Sequence, residues 1–466
     1  MRMDSTTLVV KNPYTGASLQ TLPLLRASDV DKVLERAVRV RNEHRLWLPL
    51  HERVMILERF AELLTEQREA LVNLAIQEGG KPRKDTEVEM SRALDGVQCA
   101  LAEMRRGHGH EVNMGYTRAT AGHMAFTRRA PIGVVAAYSA FNHPINLWIH
   151  QVIPAVAVGT PIILKPAPAT PLVAIRLSQL LYQAGLPEVW CQTITLSNEL
   201  ATELAKSPQL DALNFIGSAR VGWHLRSLLA PGTRLTLEHG GVAPVVVDET
   251  ADLDLALKLL VPGAYYHAGQ VCVSVQRIYV HEHIARAFAV RMAEAASGLR
   301  VGDPQAEDTD VGPLISSQAV DRVAHWVDEA VQAGAELLTG GSPLPQHHSY
   351  APTLLYGTPT HTRLMQEEVF GPVACVVPYR KLEEALKAAN GLRTQFQAAL
   401  FTQRLDHALL ALEQLRAGAV MINDSTTFRA DGMPFSGLGE SGLGTGGIGY
   451  TMREYSYEKL CVLNYA

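Results

Sequence analysis

The sequence predicts an α/β protein with two stacked domains, each built around a parallel sheet. With 466 residues the chain has room for roughly two to four domains. Hydrophobic residues make up 47% of it, enough for a large buried core. From about residue 131 onward, short apolar runs alternate with longer helical stretches. This alternation is typical of βαβ units, whose strands run parallel.

The first part of the chain predicts helices, followed by strands. Residues 29–79 carry charged and apolar residues at helical spacing, which indicates amphipathic helices. Gly133–Tyr138 and Pro161–Leu164 are short apolar runs bounded by Gly or Pro, and a helical stretch follows each of them. These runs predict neighbouring strands of a first parallel sheet.

The same alternation resumes after residue 241 and predicts a second sheet. Its candidate strands and helices are Pro244–Val247, Arg277–Val280, Ala398–Thr402 and Ala419–Ile422, with helices at 283–299 and 317–333.

The predicted joint between the domains lies in the glycine-rich stretch Glu238–Val242, where the alternation breaks and a cleft can form. The predicted domains follow from this joint: residues 1–114 and 131–240 form the first, and residues 241–430 form the second.

Two stretches near the ends of the first and second domains predict a small β extension. Tyr116–Ala121 and Tyr455–Leu463 alternate in polarity and would leave open strand edges on a single chain. Pairing between subunits would remove those edges. We therefore expect residues 115–130 and 450–466 to be oligomerisation strands of a homodimer or homotetramer.

Composition argues against several classes of partner. The net charge is −5 without long basic runs, so neither nucleic acid nor an anionic membrane is expected, and the predicted partner is a small molecule. The five cysteines are scattered without CxxC spacing, which argues against a disulfide framework and a zinc site. No signal peptide or membrane span is found. We expect a soluble cytoplasmic protein with reduced thiols and no metal.

Cys272 is a candidate nucleophile. It lies in Gly269–Val273, where small, flexible neighbours let a carbonyl compound approach the thiol. The alternative is a buried structural cysteine, because free cysteines are among the most buried residues.

Glu238 and Asn142 are candidates for the other catalytic roles. Glu238 lies between an apolar strand and a double glycine, where burial could raise its pKa into the range of a general base. The alternative is a surface or ion-paired glutamate, which could have the same sequence neighbours. Asn142 closes a strand before Pro144, and its amide could donate to an oxyanion, although asparagine is also a common turn residue.

Gly217 and Ser218 follow a candidate strand and open a helix. Backbone N–H groups at such a place can face the phosphates of a dinucleotide. The segment is not GxGxxG, and an ordinary strand-to-helix turn explains it equally well.

Taken together, these motifs resemble the aldehyde dehydrogenase superfamily. The resemblance extends from Asn12–Gly16 to the Gly-rich tail after Pro434–Gly437. The motifs that carry it, in order, are Asn142, Lys165-Pro166, Gly217-Ser218, Glu238, Cys272 34 residues later, and Glu367–Pro372. It implies a Rossmann-like cofactor domain, a second α/β catalytic domain and a small β oligomerisation extension.

The resemblance implies oxidation of an aldehyde to a carboxylic acid with NAD or NADP as cofactor. Cys272 matches the nucleophile that forms a thiohemiacetal and then a thioester. The Asn142 side chain and the Cys272 backbone N–H match the oxyanion hole, and Glu238 matches the base that activates the hydrolytic water.

The resemblance also assigns a cofactor site. Lys165 matches the residue that reaches the adenosine ribose, and Glu368 the acid that holds the nicotinamide ribose. The remaining cofactor-binding predictions are Gly217 and Ser218 at the pyrophosphate, Phe370 near the nicotinamide, and Ser139 in the segment before Asn142.

Three positions bear on specificity. Pro168 stands where many NAD-using relatives have a glutamate, so both cofactors remain open. His239 follows Glu238 where leucine is commoner, either as a titratable neighbour or as a packing variant. Arg429 resembles part of the substrate funnel of lactaldehyde- and semialdehyde-oxidising members and could bind a small hydroxylated or acidic aldehyde. Alternatively it is a structural arginine paired with Asp424 or Asp431.

Three other functions stay open at this point. The chain could oxidise apolar aldehydes with broad specificity. It could be an acylating enzyme that uses coenzyme A, although Glu238 argues against that because water activation needs a base. It could also be a catalytically silent relative.

Overall fold

The computed structural model describes residues 6–107, 109–345 and 348–465. Its first part holds five strands of a six-stranded sheet, a β-hairpin, two strands of a three-stranded sheet and eight helices. The strands are β1 (Thr7–Lys11), β2 (Ser18–Pro23), β3 (Glu111–Val112), β4 (His123–Pro131), β5 (Val135–Tyr138), β6 (Ile162–Lys165), β7 (Cys191–Thr193), β8 (Ala212–Ile216) and β9 (Arg234–Glu238). The helices are α1 (Ala27–Asn42), α2 (Leu50–Glu66), α3 (Arg68–Gly79), α4 (Arg83–Arg106), α5 (Pro144–Val158), α6 (Pro171–Gln183), α7 (Asn198–Ala205) and α8 (Ala219–Arg226).

The second part holds a seven-stranded sheet and the chain's return to the first sheet. Its strands are β10 (Ala243–Val247), β11 (Val275–His281), β12 (Glu336–Thr339), β13 (Thr353–Tyr356), β14 (Val373–Tyr379), β15 (Thr394–Gln395), β16 (Gln397–Phe401), β17 (Ala419–Ile422), β18 (Leu438–Gly439), β19 (Gly442–Leu443) and β20 (Ser456–Asn464). Its helices are α9 (Leu253–Tyr265), α10 (Glu282–Ser297), α11 (Ser317–Gln332), α12 (Arg363–Gln366), α13 (Leu382–Ala389), α14 (Leu405–Gln414) and α15 (Ile448–Glu454), with short 3₁₀ turns at His44–Leu46, Glu188–Trp190 and Tyr266–Gly269.

The first sheet has the strand order β19-β9-β8-β5-β6-β7. All its neighbouring strands are parallel except the antiparallel pair β19 and β9. One apolar core packs helices α2 to α6 against one face of this sheet, and another packs α1 and α7 against the opposite face. The predicted strands Gly133–Tyr138 and Pro161–Leu164 correspond to β5 and β6, because buried parallel strands read as continuous apolar runs.

The second sheet has the order β12-β13-β14-β11-β10-β16-β17 and is parallel except at the β12–β13 pair. A separate apolar core surrounds it. The first sheet's β9 ends at Glu238 and the second sheet's β10 begins at Ala243, so the glycine-rich stretch between them passes from one sheet to the other.

A third sheet, β20-β4-β3, corrects one prediction. Tyr116–Ala121 is a turn and not a strand, since the Thr120 hydroxyl accepts the backbone N–H groups of Gly115 and Thr117. The strand lies further on, at His123–Pro131, and pairs antiparallel with β20 of the same chain. The strands of the two predicted extension segments therefore pair with each other within one chain, and each meets its backbone hydrogen bonds along one edge in this way.

Among the residues the structure describes, no helix combines the length and apolar character needed to cross a bilayer.

Candidate active site

The predicted site residues of the first sheet lie at one edge of it. Asn142 follows β5, Lys165 ends β6, Gly217 follows β8 and Glu238 ends β9. Because these four strands are parallel, their carboxyl ends meet at the same edge, where α/β proteins bind ligands. Cys272 comes from the other sheet, in the loop that leads into β11.

Hydrogen bonds connect the Cys272 loop to Asn142 and to the segment that follows Glu238. The Asn142 amide Nδ2 donates to the carbonyl of Gln270 at 3.0 Å, and Asn142 is only 6% exposed. The backbone N–H of Gly241 donates to the carbonyl of Cys272 at 3.2 Å. The nucleophile loop is thus held on one side by the asparagine and on the other by the segment that follows Glu238.

The turn before Cys272 is strained, which is common at functional sites. His267 and Ala268 adopt φ values of +49° and +54°, which side chains disfavour. Gly269 follows with φ +67°, and a methyl group there would overlap the Gly371 carbonyl. The Glu367–Pro372 segment therefore packs directly on the nucleophile loop.

Glu238 has the electrostatic environment of a general base. Burial raises its pKa to about 7, and the Arg429 guanidinium partly opposes that rise. A carboxyl group with this pKa exchanges protons readily near neutral pH.

Cys272 is only partly exposed, and it is a free thiol. Burial raises the pKa of Cys272 well above its ordinary value, and the carboxylates of Glu238 and Glu368 raise it further. The Arg429 guanidinium acts in the opposite direction. The thiol is therefore protonated in the resting site at neutral pH.

Two of the predicted cofactor residues each offer a polar atom that makes no hydrogen bond to any described residue. Lys165 is 8% exposed, burial lowers its pKa to about 8, and its ammonium makes no hydrogen bond to any described residue. The Glu368 Oε1 atom is buried without a hydrogen-bond partner in the described chain. Such buried groups call for a ligand, and a dinucleotide's ribose hydroxyls fit both of them.

Glycines shape the backbone around the predicted cofactor residues. Gly217 and Ser218 precede α8, with Ser218 as its N-terminal cap residue. At Gly240 a methyl group would overlap the Glu368 carboxylate, so only glycine allows this approach. Phe370 adopts φ +45° and packs edge-on against Phe141 at 5.8 Å between ring centroids.

Ser139 is placed at the same sheet edge, at the end of β5. Its backbone N–H donates to the Lys165 carbonyl at 3.0 Å. This bond ties the start of the Asn142 loop to the strand that carries the lysine.

The His239 side chain, next to Glu238 in sequence, is buried and contacts the Gly217 turn. Its Nδ1 atom lies 2.7 Å from the Gly217 carbonyl, so Nδ1 carries the proton and donates. Burial lowers the pKa of His239, which keeps the ring neutral. A methyl group at Gly222 would overlap the ring, which shows how closely α8 approaches it.

Arg429 lies over the Phe435 ring, 4.3 Å from its centroid, and donates to the carbonyls of Ala430 and Met433 at 2.7 and 2.9 Å. No carboxylate oxygen in the described chain lies within 4.0 Å of it, so the alternative pairing with Asp424 or Asp431 is wrong. Burial lowers the pKa of Arg429 to about 10, so it is cationic at neutral pH.

Asp431 is instead held by residues of α4 and α5. Arg92 donates to it at 2.9 Å, Asn146 at 3.0 Å, and the His150 Nε2 atom lies at 2.7 Å. Burial acts to raise the pKa of Asp431, but His150 and Arg92 together hold it below its ordinary value. Arg92, Arg429 and Asp431 line a cavity of about 450 Å³.

The sequence reasoning missed the charged face of α4. Glu89 is buried, forms an ion pair with Lys81, and accepts the backbone N–H groups of Ile145 and Asn146 at 2.8 and 2.9 Å. It thereby caps the first turn of α5, directly after Asn142. The spacing of Glu89 and Arg92 on one face of α4, with Lys81 just before the helix begins, is the signal that could have identified them.

Comparisons with known proteins identify the family to which the chain belongs. The model of the aldehyde dehydrogenase family matches residues 1–461. The chain is 35% identical to a 3-sulfolactaldehyde dehydrogenase of Priestia megaterium, covering 98% of this chain and 94% of that protein. It is 34% identical to a lactaldehyde dehydrogenase of Methanocaldococcus jannaschii, covering 98% and 97%.

Two solved structures share the fold. One is a glyceraldehyde-3-phosphate dehydrogenase from Methanocaldococcus jannaschii complexed with NADP, with a TM-score of 0.93, 32% identity and coverage of 99% and 100%. The other is an aldehyde dehydrogenase from Physcomitrella patens in complex with the reaction product succinate, with a TM-score of 0.94, 32% identity and coverage of 100% and 96%.

Proposed function

The chain belongs to the aldehyde dehydrogenase family and is an NAD(P)-dependent aldehyde dehydrogenase, and from that premise we propose that it works through Cys272 as nucleophile. The observation that supports this role is that Asn142, Gly241 and Glu238 all act on Cys272 or its loop. The Asn142 amide donates to the Gln270 carbonyl in the Cys272 loop, and the Gly241 N–H donates to the Cys272 carbonyl. The negative charge of Glu238 raises the pKa of the Cys272 thiol.

In the first step the Cys272 thiol releases its proton to solvent water, and the resulting thiolate adds to the aldehyde carbon. The carbonyl oxygen becomes an oxyanion, which the Asn142 amide and the Cys272 backbone N–H stabilise as its charge develops. Asn142 can serve here because its bond to the Gln270 carbonyl fixes the orientation of its amide group.

A cofactor bound at this site would supply the hydride acceptor for the thiohemiacetal carbon, and loss of that hydride would leave a thioester on Cys272. Glu238 takes a proton from water, which attacks the thioester. The Cys272 thiolate leaves and takes up a proton, and the carboxylic acid is released. The pKa of about 7 makes Glu238 a carboxylate in about half of the molecules at neutral pH. The cycle needs a reduced Cys272, which fits a cytoplasmic enzyme.

We assign the cofactor to the partnerless groups at the edge of the first sheet. Lys165 and Glu368 would hold the two riboses, and the Gly217-Ser218 turn the pyrophosphate. Pro168 is exposed in the turn after β6 and offers neither a hydrogen bond nor a negative charge. Because nothing at that position repels a 2′-phosphate, both NAD and NADP should be accepted.

We assign small acidic or hydroxylated aldehydes as the substrates. A half-buried guanidinium without a carboxylate partner in the described residues favours an anionic ligand, and Arg429 lies close enough to Glu238 and Cys272 to affect both of their pKa values. The relatives named above act on sulfolactaldehyde and lactaldehyde, and one solved relative holds succinate.

A panel of aldehydes with NAD and NADP in parallel tests this function. We expect reduced cofactor to form with succinate semialdehyde, lactaldehyde or glycolaldehyde at a higher kcat/KM than with butanal or benzaldehyde. A preference for the apolar aldehydes would contradict the assigned substrate class and support broad specificity. A dependence of turnover on coenzyme A would indicate the acylating reaction instead.

Cys272→Ser should abolish turnover and leave cofactor binding measurable. The matched control is Cys461→Ser, which removes another partly exposed free thiol far along the chain. Turnover retained in Cys272→Ser would remove the nucleophile assignment. No turnover in the folded wild-type protein with any aldehyde would indicate a silent relative.

We further propose a homo-oligomer that covers β20. This strand pairs with β4 on one side, and it exposes Tyr457, Leu460 and Val462. An exposed apolar edge strand is a surface for pairing with a second copy. Light scattering should give a mass of two or four chains, and a monomer at micromolar concentration would contradict this.

A further inference from the structure

A cluster of metal-ligating side chains lies outside the active site. Glu249 follows β10, His281 ends β11 and His283 lies in the first turn of α10. Each offers one ligand atom, and these atoms lie within 4.8 Å of one another. The Glu249 Oε2 atom lies 3.8 Å from the His281 Nδ1 atom and 3.6 Å from the His283 Nδ1 atom.

These separations fit a shared ion better than they fit direct hydrogen bonds. Two ligands bound at about 2.1 Å on a tetrahedral ion lie about 3.4 Å apart. Both separations to Glu249 exceed the usual hydrogen-bond range and lie within a few tenths of an ångström of that value. Imidazole nitrogen together with carboxylate oxygen is a ligand set that Zn²⁺, Ni²⁺ and Cu²⁺ accept.

The innermost ligand atom lacks a partner in the described chain. The His281 Nδ1 atom is buried and makes no hydrogen bond to any described residue, whereas buried polar atoms nearly always make one. The His281 side chain is 12% exposed and is fixed edge-on between the rings of His283 and Tyr379. Packing therefore holds its free nitrogen toward Glu249.

The surrounding charges favour a cation. No Lys or Arg nitrogen in the described residues lies within 4.0 Å of Glu249, and the nearby cations Arg380 and Arg404 are paired with Glu282 and Asp406. The neighbouring Asp248 is a second carboxylate, held by hydrogen bonds from Thr402, Thr250 and His407.

The cluster is separate from the catalytic chemistry. Cys272 precedes β11, while His281 is the last residue of that strand. The seven residues of β11 span about 23 Å at about 3.3 Å per residue, so the cluster and the thiol lie at opposite ends of the second sheet.

We propose that Glu249, His281 and His283 form a binding site for one divalent transition-metal ion, such as Ni²⁺ or Zn²⁺. His283 and Glu249 are 72% and 44% exposed, so water completes the coordination on the solvent side. The ion joins the turn after β10 to the junction of β11 and α10. It therefore stabilises the catalytic domain and takes no part in turnover.

Calorimetric titration of the untagged full-length protein with NiCl₂ tests the site. The wild type should bind one equivalent per chain, and Ni²⁺ should raise its thermal unfolding midpoint. His283→Gln and Glu249→Gln should each weaken binding by about tenfold or more. Both side chains are exposed, so these variants should fold and keep their aldehyde oxidation rates.

Two controls locate the binding. His361→Gln removes an exposed histidine elsewhere and should bind Ni²⁺ like the wild type. Cys272→Ser should also retain the site, because the catalytic thiol is not a ligand. The proposal is overturned by equal affinity in wild type and His283→Gln, by loss of binding in Cys272→Ser, or by absence of a saturable equivalent.

Discussion

The proposed base role of Glu238 predicts a specific dependence of turnover on pH. Only the carboxylate form can take a proton from water, and burial raises its pKa to about 7. The ionised fraction therefore rises from about 9% at pH 6 to about 91% at pH 8. Thioester hydrolysis should become about tenfold faster over this interval.

Stopped-flow measurement of reduced cofactor separates hydrolysis from the earlier steps. At pH 6 we expect a burst of about one equivalent followed by slow steady turnover, and at pH 8 a faster steady phase. Glu238→Gln should keep the burst and lose the steady phase at both pH values. A steady rate that is flat from pH 6 to pH 8, or normal turnover in Glu238→Gln, would refute the assignment.

Three further substitutions test neighbouring groups. Arg429→Gln should lower kcat/KM for succinate semialdehyde by about 10- to 100-fold, the equivalent of one lost charged hydrogen bond. It should lower kcat/KM for butanal much less, because there it acts only through the pKa values of Glu238 and Cys272. His239→Leu removes the bond to the Gly217 carbonyl and should raise the cofactor KM by roughly two- to tenfold at nearly constant kcat. Lys81→Met leaves the buried Glu89 carboxylate unpaired, which should cost about 3–5 kcal/mol and lower the thermal unfolding midpoint.

Each of these has a matched comparison. Arg429→Lys keeps the charge and should restore part of the preference for the anionic aldehyde; an equal loss for both aldehydes in Arg429→Gln would mean a structural role. His239→Asn keeps a hydrogen-bond donor and should raise the cofactor KM less than His239→Leu does. Equal cofactor KM values in the two variants would contradict the role of His239 in positioning the Gly217 turn. Arg59→Gln breaks an exposed pair with Glu62 and should lower the thermal unfolding midpoint far less than Lys81→Met does, and a similar effect from the two substitutions would contradict the buried-pair argument.

The strands and the motif residues were predictable from the sequence because their signals are local. β5, β6 and β10 are almost entirely apolar runs that lie close to Gly or Pro, and parallel strands buried on both faces produce that pattern. The helices of residues 29–79 were predictable from their charged and apolar spacing. Tyr116–Ala121 was predicted wrongly because alternation alone does not reveal the hydrogen bonds of Thr120.

Contacts between distant residues were not predictable. Asp431 was considered as a partner of Arg429 because the two are close in sequence, yet it pairs with Arg92, 339 positions away. Glu249 and His281 are 32 positions apart and meet only because β10 and β11 are neighbours in the sheet. The prediction that there is no metal rested on cysteine spacing, which carries no information about histidines and carboxylates.

Two effects of Glu238 make opposite predictions for the reactivity of Cys272. Its negative charge raises the pKa of the thiol, so Glu238→Gln should increase the thiolate fraction and speed alkylation by iodoacetamide at pH 7. The same variant should lose steady turnover, because hydrolysis has no base. A more reactive thiol in a slower enzyme would separate the electrostatic effect from the catalytic one. Slower alkylation in Glu238→Gln would instead show that Glu238 takes the proton of the thiol, and would overturn its restriction to the hydrolysis step.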